Sequence, residues 1–135
     1  MISSRSLDDL IPEAKARANA LISACHAEGI DLLVTSTYRD NEAQDALYAQ
    51  GRTKPGKIVT KAKGGQSFHN YRRALDVVPI VNGKPVWNDE QLWKKIGALG
   101  KQCGLEWAGD WTRFRETPHF QWTNGKTIKD LAAGS

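Results

Sequence analysis

Apolar residues recur at helical spacing near the start of the chain, just behind Asp8 and Asp9. These apolar positions are Leu10, Ala14, Ala18, Leu21, Ile22 and Cys25. Intervals of three and four residues place such side chains on one face of a helix. Pro12 falls in the opening turn and Gly29 follows the last apolar position. The pattern therefore predicts an amphipathic helix over residues 8–28.

Two more helices are indicated by polar residues at their starts and glycines at their ends. Asp40 can cap a helix that stops at Gly51. Asn88 or Asp89 begins a third helix that ends at Gly104. The apolar positions of this third helix are Leu92, Trp93, Ile96, Leu99 and Cys103. Helical spacing within it predicts one buried face.

Short runs of β-branched and apolar residues predict the strands of one sheet. In chain order, these runs are residues 30–37, 74–81, 84–87, 105–108 and 119–122. Asn82-Gly83 separates two of them and is a strong hairpin signal. Helices followed by mostly antiparallel strands indicate an α+β fold in a single domain, residues 1–135. Residues 123–135 are predicted to form a short helix before a frayed end.

The composition is that of a soluble globular protein, with 40% hydrophobic and 25% charged residues. No apolar run approaches the roughly 20 residues of a membrane-spanning helix, and the first residues lack the apolar segment of a secretory signal. We therefore expect no stable membrane insertion. Cys25 and Cys103 fall within helical patterns and are predicted to be buried free thiols, with one disulfide as the alternative.

The net charge of +4 favours a polyanionic partner, such as nucleic acid, anionic lipid or an anionic cell-wall polymer. Most of the positive excess lies in residues 52–63, RTKPGKIVTKAK, which we interpret as a solvated, mobile loop. No nucleic-acid-binding motif accompanies the charge. We therefore expect no nucleic-acid partner.

A histidine and an aspartate seven residues apart, His69 and Asp76, lie where a loop region turns apolar. On one strand, an odd separation puts two side chains on opposite faces. His69 is therefore assigned to the loop before the strand, and a turn through residues 70–73 could fold its imidazole back toward the carboxylate. The spacing permits this contact without requiring it.

A third metal-capable residue, His119, follows Glu116 by three positions at the start of an apolar run. His26, near a helix end, is interpreted as structural. A catalytic zinc ion uses three protein ligands and keeps one position open for water. His69, Asp76 and His119 could be those ligands, and Glu116 could be the general base of zinc-assisted hydrolysis. Spacing equally allows a surface histidine, a strand-end aspartate and a partly buried histidine with no common function.

Three segments in this order resemble a known family. They are Tyr-Arg after the first predicted strand, Ser-x-His with an aspartate seven residues after the histidine, and acid-x-x-His-Phe late in the chain. The sequence resembles the zinc D-Ala-D-Ala peptidases of the VanX and VanY type, peptidase family M15, over about residues 35–122. It is more similar still to the L-alanyl-D-glutamate endopeptidases that bacteriophages use as endolysins. The resemblance implies a VanY-like, Hedgehog-like fold, in which N-terminal helices pack on a small antiparallel sheet that carries a zinc site.

The resemblance also implies roles for the candidate residues. His69, Asp76 and His119 would bind one catalytic zinc ion, and Glu116 would be the general acid/base. Arg39 would stabilise the oxyanion, a role that suits a fixed guanidinium near developing negative charge.

Three further residues are expected at the substrate cleft. Gln44 and Ser67 match family positions that line the cleft or steady the ligands. Arg72 stands where the family commonly has glycine, which indicates a different turn or a tolerated strain. Arg72 and Arg73 could instead reach the carboxylates of a peptidoglycan stem peptide.

The expected function is cleavage of the L-alanyl-D-glutamate bond of the peptidoglycan stem peptide, as in cell-wall lysis by endolysins. The alternatives are a D,D-carboxypeptidase or D-Ala-D-Ala dipeptidase and, from another class, a non-catalytic cell-wall binding module. We expect a monomer. Because no export signal is visible, we also expect the protein to be cytoplasmic at synthesis. It would pass through a holin-type pore and act in the periplasm or cell wall.

Overall fold

The computed structural model describes residues 1–134. Its helices and strands, in chain order, are α1 (Pro12–Ala27), β1 (Asp31–Ser36), α2 (Asn41–Ala49), β2 (Ala74–Val81), β3 (Lys84–Pro85), α3 (Glu90–Gln102), β4 (Glu106–Trp107), β5 (His119–Gln121) and α4 (Ile128–Ala132). Short 3₁₀ turns cover Leu7–Asp9, Phe68–Tyr71 and Ala108–Asp110. The predicted α+β architecture, with helices on a small antiparallel sheet, is confirmed.

Helix α1 begins later than the sequence pattern predicts. Leu7–Asp9 form a separate 3₁₀ turn, in which the Ser6 side chain accepts a hydrogen bond from the backbone of Asp8. Ile11 keeps an extended backbone, as is usual for a residue before proline. Pro12 then opens the helix, where its missing N–H would have had no partner. The predicted start at residue 8 is therefore wrong.

The other predicted helices have the expected ends. Asp40 accepts a hydrogen bond from the backbone of Ala43 at the start of α2, and Asp89 caps α3 in the same way. Gly104 follows α3 with a φ of +87°, a conformation that favours glycine. Helix α4 lies where a short terminal helix was predicted. The predicted frayed end includes Ser135, which lies outside the described residues.

The five strands form one antiparallel sheet with the order β1-β2-β5-β4, and β3 pairs with β2. Asn82 and Gly83 have φ values of 52° and 77° in the turn between β2 and β3. Positive φ at both positions is what a two-residue hairpin of this kind requires. The hairpin predicted from these two residues is confirmed.

The two faces of the sheet at β2, β5 and β4 differ in character. Leu75 and Trp107 both lie opposite Phe120, and all three are buried. Asp76 lies opposite His119. Because side chains alternate along a strand and cross-strand partners share a face, these two sets point to opposite sides. We call them the apolar face (Leu75, Trp107 and Phe120) and the polar face (Asp76, His119, Gln121 and Glu106).

The hydrophobic core joins α1 and α3 to the apolar face. Its fully buried members include Leu21, Val77, Trp93, Ile96 and Phe120. Gly97 and Gly100 let α3 approach the sheet closely, because a Cβ at either position would overlap the ring of Trp107 or Phe120. This close packing fixes the strands that carry the polar face.

Both cysteines are free thiols, as predicted. Cys25 is fully buried, and burial raises its pKa to about 11. Cys103 is only partly buried. Among residues 1–134, none of the helices has the length and apolar character needed to cross a membrane.

Candidate metal and active site

Three metal-capable side chains converge on the polar face. His69 comes from the 3₁₀ turn Phe68–Tyr71, Asp76 from β2 and His119 from β5. His69 Nε2 lies 3.2 Å from Asp76 Oδ1 and 3.2 Å from His119 Nδ1. The last two atoms are 3.1 Å apart. The structure thus brings the three predicted ligands together around one point.

The turn that carries His69 explains how its imidazole reaches β2. Ser67 Oγ accepts a hydrogen bond from the His69 N–H at 3.2 Å, and Asn70 Oδ1 accepts one from the Ser67 N–H at 3.1 Å. This reciprocal cap closes the turn. Arg72 then takes a left-handed conformation, with φ at 61°, before the chain enters β2. The imidazole consequently folds back toward Asp76.

Neighbouring acceptors determine which nitrogen of each imidazole is free. His69 Nδ1 lies 2.6 Å from the carbonyl oxygen of Thr37, which can only accept, so Nδ1 carries the proton. His119 Nε2 lies 2.8 Å from Gln121 Oε1, which leaves Nδ1 of His119 as the free nitrogen. Hydrogen bonds of this kind orient metal-binding histidines. Two imidazole lone pairs and one carboxylate oxygen therefore point inward.

The three inward atoms fit a tetrahedral zinc ion. Zinc binds imidazole nitrogen and carboxylate oxygen at about 2.0–2.2 Å, so adjacent tetrahedral ligands lie about 3.3–3.6 Å apart. The observed separations of 3.1 and 3.2 Å need only a small outward shift. Two histidines and one carboxylate, with a fourth position left for water, are a donor set of catalytic zinc sites.

Burial and charge oppose each other in this cluster. Burial alone would raise the pKa of Asp76, but the adjacent His69 and His119 outweigh it and hold that pKa well below its usual value. Burial lowers the pKa of His69. Burial also acts to lower the pKa of His119, but the hydrogen bond and charge of Asp76 raise it overall. The site therefore favours an ionised Asp76, which is the form that binds a cation.

Arg39 is held beside the cluster by three side chains. Its guanidinium donates to Asp76 Oδ2 at 3.2 Å, to Gln44 Oε1 at 2.7 Å and to Ser36 Oγ at 3.1 Å. Gln44 is fully buried, and its amide donates to the carbonyl oxygen of Ala62 at 2.8 Å. Gln44 therefore fixes the direction of Arg39 from inside the protein, and it lines neither of the two cavities described below, although a place at the substrate cleft was expected.

Glu116 lies in the loop before β5 and lines a cavity of about 190 Å³ together with the three candidate ligands. Arg39 and Ser67 line the same cavity. Burial raises the pKa of Glu116 more than the nearby His119 and Arg39 lower it. A carboxyl group with a raised pKa, close to the ligand triangle but outside it, suits a general acid/base.

A second cavity, of about 750 Å³, extends the site away from His119 and Glu116. Its walls include Thr60, Lys61, Ala62, Gln66, Ser67, Phe68, Trp111, Arg113 and Phe114. The end of the predicted basic loop 52–63 thus borders this cleft. Aromatic side chains with a few polar and cationic groups are typical of a ligand-binding cleft.

Arg72 is the candidate site residue that the structure places elsewhere. Its guanidinium lies 3.9 Å from the centre of the Tyr38 ring and donates to the carbonyl oxygen of Asp9 at 3.0 Å. Within the described chain, it lines neither of the two cavities above. Arg73 lies over Trp122 instead. This geometry does not support the expected contact of either arginine with substrate, and the left-handed φ of Arg72 is a tolerated strain.

Sequence reasoning missed the groups that orient the two histidines. The Thr37 carbonyl is a backbone group and leaves no signal in the sequence. Gln121 stands two residues after His119 on a strand, so it shares the face of His119. That spacing was the available signal.

Comparison with known proteins identifies the family. The family model of M15 peptidases described as D-alanyl-D-alanine carboxypeptidase matches residues 60–122. The peptidoglycan L-alanyl-D-glutamate endopeptidase CwlK of Bacillus subtilis (strain 168) is 41% identical over 122 residues, covering 84% of this chain and 73% of CwlK. The chain belongs to the M15 peptidase family. The matched segment of this M15 peptidase contains His69, Asp76, Glu116 and His119.

Two further proteins are similar to this chain, one in sequence and one in fold. The L-alanyl-D-glutamate peptidase of Listeria phage A118 is 34% identical over 124 residues, which cover 87% of this M15 peptidase and 41% of the phage protein. The crystal structure of the Serratia marcescens L-Ala D-Glu endopeptidase ChiX matches with a TM-score of 0.67 and 18% identity, covering 97% of this chain and 92% of ChiX. The family resemblance inferred from the sequence is confirmed, and the fold is shared with ChiX.

Proposed function

We propose that this M15 peptidase is a zinc-dependent endopeptidase that cleaves the L-alanyl-D-glutamate bond of the peptidoglycan stem peptide. The observation that carries the proposal is the triangle of inward-facing donor atoms from His69, Asp76 and His119, with Glu116 in the same cavity. The substrate is supported by the 41% identity to CwlK, which is named for this activity.

His69, Asp76 and His119 would hold one zinc ion. When bound, zinc lowers the pKa of a coordinated water to about 7 and polarises a carbonyl group. Glu116 takes a proton from the attacking water and delivers it to the leaving amine of D-glutamate. The raised pKa of Glu116 favours the second of these steps, since it makes the protonated form accessible.

Arg39 would stabilise the negative charge that develops on the scissile carbonyl oxygen. Ser36 and Gln44 already fix its guanidinium, so little reorganisation is needed during the reaction. Ser67 is proposed to steady His69 through the turn and to contact substrate, because it both caps the turn and lines the cleft.

A D,D-carboxypeptidase or D-Ala-D-Ala dipeptidase is the second candidate. The observation in its favour is the matching family model, which is described as D-alanyl-D-alanine carboxypeptidase. Both candidates use the same site and differ in the bond that enters the cleft.

Mass spectrometry of fragments released from purified sacculi distinguishes the candidates. The zinc-loaded protein should release peptides that begin at D-glutamate, and a chelator should abolish the release. Loss of a terminal D-alanine alone would assign the carboxypeptidase activity. Binding to sacculi without any cleavage would assign a non-catalytic wall-binding module.

We also propose that the protein acts as a monomer on peptidoglycan outside the cytoplasm, after release through a holin-type pore. The similarity to a phage A118 peptidase supports this route. Expression in a bacterial host should cause lysis only when a holin is co-expressed. Lysis without the holin would contradict the proposed route.

A further inference from the structure

A hydrogen-bonded chain of side chains runs outward from His119 along the polar face. His119 Nε2 lies 2.8 Å from Gln121 Oε1, and Gln121 Nε2 donates to Glu106 Oε2. Gln121 is buried, whereas Glu106 is exposed at the wall of the cleft. Glu106 and Gln121 are direct partners across β4 and β5. The strand register itself therefore holds this contact in place.

We infer that Glu106 sets the tautomer of His119 through Gln121, and is a positioning residue for the zinc site. A carboxylate offers only acceptors, so Gln121 must turn its NH₂ group toward Glu106 and its carbonyl toward His119. That carbonyl also only accepts, so His119 Nε2 must carry the proton. In the neutral imidazole, which is the form that binds a metal, Nδ1 is then left with the lone pair that faces Asp76 and His69.

The role of Glu106 follows from what the amide does without it. An amide has two orientations that differ by exchange of its oxygen and nitrogen. In the exchanged orientation the NH₂ group of Gln121 would face His119 Nε2, which would have to accept. The proton would then move to Nδ1, the nitrogen that faces the metal position. Loss of the Glu106 carboxylate should therefore weaken zinc binding even though Glu106 is not a ligand.

The inference rests on the proposed zinc site and is tested by zinc affinity. Zinc dissociation constants would be measured by competition with a chelating indicator for the wild type, Glu106→Gln and Glu13→Gln. Glu106→Gln keeps the side-chain size but allows both amide orientations at Gln121, so the affinity should fall about tenfold or more. Glu13→Gln is the matched control, because Glu13 is an exposed carboxylate on α1 and the charge change is the same.

A swapped double variant separates this role from a merely structural one. In Glu106→Gln combined with Gln121→Glu, the carboxylate accepts directly from His119 Nε2 and from the amide at position 106. The order of donors and acceptors is restored, so zinc affinity should return close to the wild-type value.

The outcomes are distinguishable. If the wild type binds no zinc, the proposed function fails and this inference fails with it. If the wild type binds zinc and Glu106→Gln matches the Glu13→Gln control, only the inference is overturned. A folded double variant that remains as weak as Glu106→Gln would also overturn it, because the mechanism requires rescue.

Discussion

The two faces of strand β5 perform different tasks although their side chains alternate from one residue to the next. Phe120 packs on the apolar face beneath α3, whereas His119 and Gln121 on either side of it belong to the polar face. The apolar face depends mainly on volume and burial, which several side chains can supply. The polar face depends on an ordered series of donors and acceptors, in which single atoms matter. Stability and chemistry should therefore be separable by mutation.

The largest expected effect is on the polar face, at Glu116. Glu116→Gln should reduce the turnover of a synthetic stem peptide about 10²–10⁴-fold, because a general acid/base is lost. Bound zinc and the free energy of unfolding should stay close to wild type, since Glu116 lies outside the ligand triangle. Steady-state kinetics and elemental analysis check both expectations. A variant with the wild-type rate would remove Glu116 from the mechanism.

The opposite result, a loss of stability without a loss of zinc binding, is expected in the hydrophobic core that packs on the apolar face. Leu21 is fully buried on α1, so Leu21→Ala should lower the free energy of unfolding by about 2–5 kcal/mol. Ile96→Val, at another fully buried position, should cost about 0.5–1.5 kcal/mol. Denaturant unfolding measures both losses. Under conditions where the variants are folded, their zinc affinity should equal that of the wild type, and a marked loss would show that the two faces are coupled.

The pKa of Glu116 provides a further test of the polar face. In the metal-free protein its pKa should lie above the ordinary value of 4.5, because burial disfavours the charged carboxylate. Zinc should lower that pKa, because a nearby cation favours the carboxylate. A pH titration followed by ¹³C NMR of the Glu116 carboxyl group checks both directions. An unshifted pKa without metal would contradict the burial argument.

The smallest expected effect concerns the backbone at Arg72. Arg72→Ala and Arg72→Gly both remove the contacts with Tyr38 and Asp9, so their difference isolates the conformation at this position. With φ at 61°, glycine should be more stable than alanine by about 1 kcal/mol in denaturant unfolding. Equal stabilities would indicate that the turn relaxes when the side chain is removed.

The difference between the two faces also explains which features the sequence could predict. Apolar periodicity identified the buried side of α1 and α3, and Asn82-Gly83 identified the hairpin, because each signal is local. The separate turn at Leu7–Asp9 was missed because the apolar pattern continues across Pro12, where the helix actually begins.

On the polar face, the sequence predicted which residues are candidate metal ligands, because their types and positions match the family motif. The contact between Glu106 and Gln121 was not predictable, because it depends on the register of two very short strands. The direction of Arg72 was missed for a similar reason. Its left-handed backbone turns the guanidinium toward Tyr38 and Asp9, and residue type alone does not reveal that conformation.

An anomalous-scattering map at the zinc absorption edge, from crystals of the zinc-loaded protein, tests the central claim most directly. The account predicts one peak within bonding distance of His69 Nε2, Asp76 Oδ1 and His119 Nδ1, with the Glu116 carboxylate beyond bonding distance. A peak at another position, or Glu116 among the ligands, would contradict the assignment of the polar face as a catalytic zinc site.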